Sequence, residues 1–211
     1  MTNTIPAGPE QKTKWMRTAL WLVGATMAYN VIEAGVAIAS GIAAGSIALV
    51  GFGLDSVIEL AAATVLLWRL SVEAKGADEE RIESTERKVL RFVGITFFLL
   101  AAYVIASAGL TLFAGKAPEE SMIGIVLAVA SLIIMPVVAW GKLRTADRLE
   151  SESLRAEAKE TLACSYLSFT LLLGLTLHAA LGWWWADPVA AMLMTPWLIR
   201  EGMEALEGDD D

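Results

Sequence analysis

Four side chains on two apolar stretches could do chemistry together. Asp55 and Glu59 are four residues apart, and so are Glu160 and Cys164. A spacing of four places both members of a pair on one helix face. The first pair then presents two carboxylates and the second a carboxylate and a thiol. Three carboxylates and a thiol suit a divalent cation: mixed carboxylate and thiolate donors tolerate Zn²⁺, a carboxylate-rich set leaves Mn²⁺ or Fe²⁺ open, and the thiol leaves Co²⁺ or Cd²⁺ open. Without a cation these acids repel one another and protonation relieves the repulsion, so cation binding would release protons. Glu33, with Asn30 three residues before it, adds a further acid that could support the site or carry protons.

Each residue also has a plainer reading. Asp55 and Glu59 could be a polar pair that only helps helices associate. Glu160 adjoins Lys159 and, three residues back, Glu157, as a residue at the membrane interface would. Cys164 could be a small buried filler, and Glu33 with Asn30 a structural hydrogen-bonding pair. His178 is the one histidine and is expected at a helix end, so no histidine metal cluster exists.

The elements that position these groups are read from where charge is missing. The 211 residues are 56% hydrophobic and 19% charged, with the charges clustered. No charge falls in Ala34–Leu54, Phe92–Gly115, Ser121–Gly141 or Thr161–Ala186. Each window is close to the ~20 residues that cross a hydrocarbon core. Acids inside such spans are costly and usually functional. The pattern predicts an all-α membrane bundle with six helices near 16–40, 46–70, 89–114, 121–146, 152–177 and 187–206. Residues 1–15 read as a disordered cytoplasmic tail, 16–207 as the transmembrane domain and 208–211 as a short acidic tail. Ser71–Lys88 is strongly charged and must lie in water. Arg144–Lys159 is charged with helix-forming composition, so helices four and five are expected to protrude as stalks. Asp187-Pro188 reads as a helix start, with Asp as cap.

Of the 16 Lys and Arg residues, all but Lys116 fall on the side of the N-terminal tail. That asymmetry puts both termini in the cytoplasm of a multi-pass cell-membrane protein. Trp183, Trp184 and Trp185 at one level, and Trp15, Trp68 and Trp140 at the other, read as interfacial belts. At 1.5 Å per residue, Asp55 and Glu59 lie roughly 13 and 20 Å below the outer end of helix two, and Cys164 and Glu160 roughly 20 and 25 Å below that of helix five. Glu59 and Cys164 are thus expected at one depth. One Cys excludes an intramolecular disulfide or a CxxC site. The net charge of −8 comes with no basic run to bind nucleic acid. Neither HExxH nor GxSxG occurs, so an enzyme is not expected, and no cofactor beyond the transported ion is implied.

At these residues the chain resembles the cation diffusion facilitator, or cation efflux, family. Ser46-Ile47-Ala48-Leu49 leading to Asp55 and Glu59 looks like that family's second-helix signature, in which two metal ligands lie four apart. Leu154–Cys164 is similar to the fifth-helix signature, Asp187-Pro188 falls where helix six commonly opens, and Glu33 where many members carry a first-helix Glu. The likeness spans about residues 17–204. The ligand pairs depart from the family's usual His and Asp. No cytoplasmic metal-binding domain follows helix six in this sequence, so it resembles the small branch with the transmembrane domain only. The resemblance implies export of a divalent transition metal, Zn²⁺ first, by proton antiport, with the lipid bilayer, protons and a second copy of the chain as partners. Without a soluble domain a homodimer would rest on helices, and Ala102, Ala106 and Gly109 of helix three are spaced for one face. The competing reading is a metal-binding or partner-binding membrane protein that keeps the fold without transporting.

Overall fold

The computed structural model describes residues 9–44, 47–115 and 122–207. They form six helices: α1 Pro9–Ala44, α2 Ile47–Ala74, α3 Glu79–Ala114, α4 Met122–Leu149, α5 Glu152–Leu181 and α6 Ala186–Glu207. The chain crosses back and forth. α1 begins and α6 ends at one face, here the near face, and the opposite one is the far face. α1–α4 are long and apolar enough to cross a membrane by composition alone. α5 brings Glu157 and Glu160, and α6 Glu201, into the bundle, where all three are buried.

α2 and α5 stand at the centre. α2 packs on α1, α3 and α5, and α5 on α2, α3, α4 and α6. The core runs along this axis through Ala62, Leu66 and Leu70 of α2, Val93 and Phe97 of α3, and Leu154 and Ala163 of α5. The outer surfaces are apolar instead: Phe113 is 94% exposed, Leu193 73% and Val137 68%. Such a surface is stable only against lipid. Glycines set the closest approaches. A Cβ on Gly53 would lie 3.0 Å from the backbone nitrogen of Ile38, so α1 and α2 touch there backbone to backbone.

Several helix limits differ from expectation. α1 starts at Pro9, so residues 9–15 are helical rather than part of a tail, while residues 1–8 and 208–211 lie outside the described residues. α3 starts ten residues earlier than charge alone suggests. Asp78 caps it by accepting from the Arg81 N–H at 3.0 Å, and Glu79 and Glu80 occupy a first turn whose dipole favours acids. The charged segment after α2 therefore needs water but not a loop. Arg144–Lys159 is not a pair of free stalks. Ser151, Ser153, Leu154 and Glu157 are buried, and α4 turns into α5 at Glu150, whose φ is 54°. Glu86 of α3 accepts from the Ser153 N–H at 2.7 Å and so ties α3 to the start of α5. α6 opens at Ala186 with Pro188 in its first turn; the side chains of Asp187 and His178 are outside the described set, as are residues 116–121 between α3 and α4.

The aromatic belts are partly visible. Trp183 and Trp185 stack with ring centroids 5.2 Å apart at the far face. At the near face Arg144 lies over Trp140 at 5.5 Å and Arg148 over Trp15 at 5.9 Å, pairing aromatic rings with cations at one level.

Candidate metal centre

Antiparallel packing of α2 and α5 sets the pairing of the chemical groups. Asp55 and Cys164 face each other within hydrogen-bonding reach. One turn nearer the near face, the Thr161 hydroxyl donates to Glu59 at 2.7 Å. Cys164 therefore lies level with Asp55, not with Glu59. Counting from helix ends failed because those ends are not level: Asp55 is ~12 Å from the start of α2, while Cys164 is ~25 Å from the end of α5. The start of α2 thus sits deeper than the end of α5.

All four expected donors are buried: Asp55 is 4% exposed, Glu59 and Cys164 1% and Glu160 2%. Asp55 Oδ2, Glu59 Oε2 and both Glu160 oxygens have no hydrogen-bond partner. Glu160 lies within reach of Thr96 of α3, on the same face of α5 as Cys164. Among the described residues no three Asp, Glu, His or Cys side chains converge into one metal-holding group. α2 and α5 thus bring the two pairs to one region but leave them as separate contacts. A cation held by all four would have to draw the two pairs together, and it could take the free Glu59 Oε2 while Oε1 stays on Thr161. Unpaired buried carboxylate oxygens are costly, and in a native fold they call for a cation, a proton or a bound water.

A cavity lies on the far-face side of Asp55. It measures about 90 Å³ and has Asp55 and Phe52 among its lining residues, with Tyr103 and Thr111 of α3, Leu171 of α5 and Pro188 of α6. Gly51 makes room for its wall, since a Cβ there would meet the Tyr103 hydroxyl at 1.4 Å.

Glu33 stands apart from this set. It takes hydrogen bonds from Tyr29 at 3.0 Å, from Ser56 at 2.8 Å and from Ser131. Three hydroxyls from α1, α2 and α4 engage both of its oxygens, so it clamps those helices beside Asp55. Asn30 is fully buried and neither of its side-chain polar atoms has a partner.

Two functional candidates escaped the sequence reading. Lys142, counted only as a near-face charge, is fully buried on α4, and its ammonium binds Glu157 at 2.6 Å and Thr161 at 3.0 Å. Arg69, counted likewise, is 6% exposed and bridges Glu73 and Glu86. The signal for Lys142 was its place two residues after Trp140 at the end of an otherwise uncharged apolar stretch.

The chain belongs to the cation efflux family: the family's cation efflux transmembrane domain matches residues 24–206. It is a multi-pass membrane protein of a transporter family. It is 31% identical over 151 residues to an uncharacterized transporter of Synechocystis sp., covering 70% of this chain and 49% of that protein. It is 25% identical over 156 residues to the manganese efflux system protein MneS of Bacillus subtilis, covering 70% and 51%. Transmembrane protein 163 of Xenopus laevis is 23% identical over 167 residues, covering 78% and 57%. The chain spans about half the length of these curated relatives.

Proposed function

We propose that the chain exports a divalent transition-metal cation in exchange for protons, with Asp55, Glu59, Glu160 and Cys164 as the ion's ligands. The observation that carries this reading is the set of unpartnered, buried carboxylate oxygens on α2 and α5, with Asp55 at a cavity on its far-face side. Buried acids of this kind have to be neutralised, by a cation or by protons. Exchanging one for the other at the same oxygens is the chemical basis of antiport.

Zn²⁺ is the first assignment because a thiol touching a carboxylate matches its tolerance for mixed donors. Mn²⁺ is the second. Three of the four donors are carboxylates, which suit that harder ion, and one relative is named as a manganese efflux protein. The test is uptake of a metal panel into proteoliposomes with and without a pH gradient. Zn²⁺ or Mn²⁺ should move, faster with an opposing proton gradient. Binding without flux for every ion would leave a non-transporting metal-binding protein and overturn the reading.

A further inference from the structure

We propose that Lys142 is the inner gate of the transport path: a tethered ammonium that closes the near-face side of the Glu59 region and must leave Thr161 for a cation to pass. The inference rests on the transport reading above.

The geometry is a linear chain of contacts. Glu157 holds the ammonium at 2.6 Å, the ammonium donates to Thr161 at 3.0 Å, and Thr161 donates to Glu59 at 2.7 Å. Lys142 and Glu157 are both fully buried, so water does not screen the pair. The arrangement is one-sided. Towards the far face, the cavity reaches Asp55. Towards the near face, the next group on α5 after Thr161 is Glu157, with Lys142 on it. A further layer lies beyond, where Arg69 bridges Glu73 and Glu86 and Glu86 holds the Ser153 N–H.

An ammonium there does two things. It occupies the hydroxyl that holds Glu59, and it places a positive charge where a divalent cation must pass, which repels it. It also has somewhere to go. Glu157 Oε2 is buried and without a partner, so the ammonium can leave Thr161 and stay on the same carboxylate. A buried ion pair that served packing alone could be exchanged for a neutral pair of similar volume with little effect. A gate could not.

Two measurements on the full chain in proteoliposomes test this, with Zn²⁺ and Mn²⁺ as the probe ions. The first is the paired variant Lys142→Met/Glu157→Gln, which removes both charges together. Without the competing ammonium, KM should fall about fivefold or more, and kcat should fall as the ion leaves Glu59 more slowly. A paired variant with wild-type KM and kcat overturns the gate. The second needs no variant: labelling of Lys142 by an amine-reactive reagent, mapped by mass spectrometry. It should rise several-fold during ion turnover over the ion-free protein, because a near-face path open to the ion past Lys142 also admits water and reagent to it. Protection unchanged through turnover also overturns the gate. Wild-type vesicles separate the two levels: no wild-type flux would sink both readings, whereas normal flux with an unaltered variant and constant protection would sink the gate alone.

Discussion

A carboxylate inside a membrane bundle is explained by what it touches, and the buried acids here touch different things. Glu33 has three hydroxyl donors, while Asp55 and Glu160 have oxygens with none. The two kinds should respond oppositely to truncation. Glu33→Ala leaves Tyr29, Ser56 and Ser131 without their acceptor and should cost about 1–3 kcal/mol, read as a lower melting temperature in detergent. Asp55→Ala or Glu59→Ala should abolish ion flux in vesicles while the melting temperature stays near wild type, because each removes a proposed ligand and not a packed clamp. Wild-type flux in both of these variants would disprove the ligand assignment. Cys164→Ser should move ion preference away from softer metals, Cd²⁺ before Mn²⁺, more than it changes protein yield; a metal panel measures it.

At the scale of helices, six elements and the two chemical pairs were legible from uncharged windows and i,i+4 spacing, because a hydrocarbon core leaves few alternatives. Helix limits were less so. Charge marks where a segment meets water, not where a helix stops, and α3 continues as helix through Glu79–Lys88. The partner of Glu59 was out of reach for another reason: relative helix height is set by packing, and no count along one chain segment contains it. The burial of Lys142 was not legible because an exposed near-face lysine and a buried one look alike until α5 supplies Glu157. The closest contact of α1 and α2 gives a test at this scale. Gly53→Val would press on the Ile38 backbone and should cost about 1–3 kcal/mol, seen as a lower melting temperature with the helix content retained. Helix three gives another. Ala102 and Ala106 are exposed on α3, and a Cβ on Gly109 would meet nothing within 4 Å. Their small surface admits a second copy of the chain. Cysteines at Ala102 or Ala106, in a Cys164→Ser background, should form a disulfide-linked dimer. A monomer in detergent and nanodiscs, with no cross-link at either position, would rule this interface out.

For the molecule as a whole, the distribution of charge predicts its orientation. The near face should be cytoplasmic, because Lys and Arg residues concentrate there. Cysteines at Thr2 and Pro118, again without Cys164, should differ in labelling by an impermeant thiol reagent on intact cells: Pro118 at once, Thr2 after permeabilisation. Equal labelling of both from outside would reverse the assignment. One feature of the interior also makes the native chain its own instrument. The sequence holds a single sulfhydryl, and it is 1% exposed against Asp55 at the meeting of α2 and α5. Its rate of alkylation is therefore a clock for how often the bundle opens, read on unmutated protein, and slowing of that clock by a bound ion would report occupancy without any transport assay.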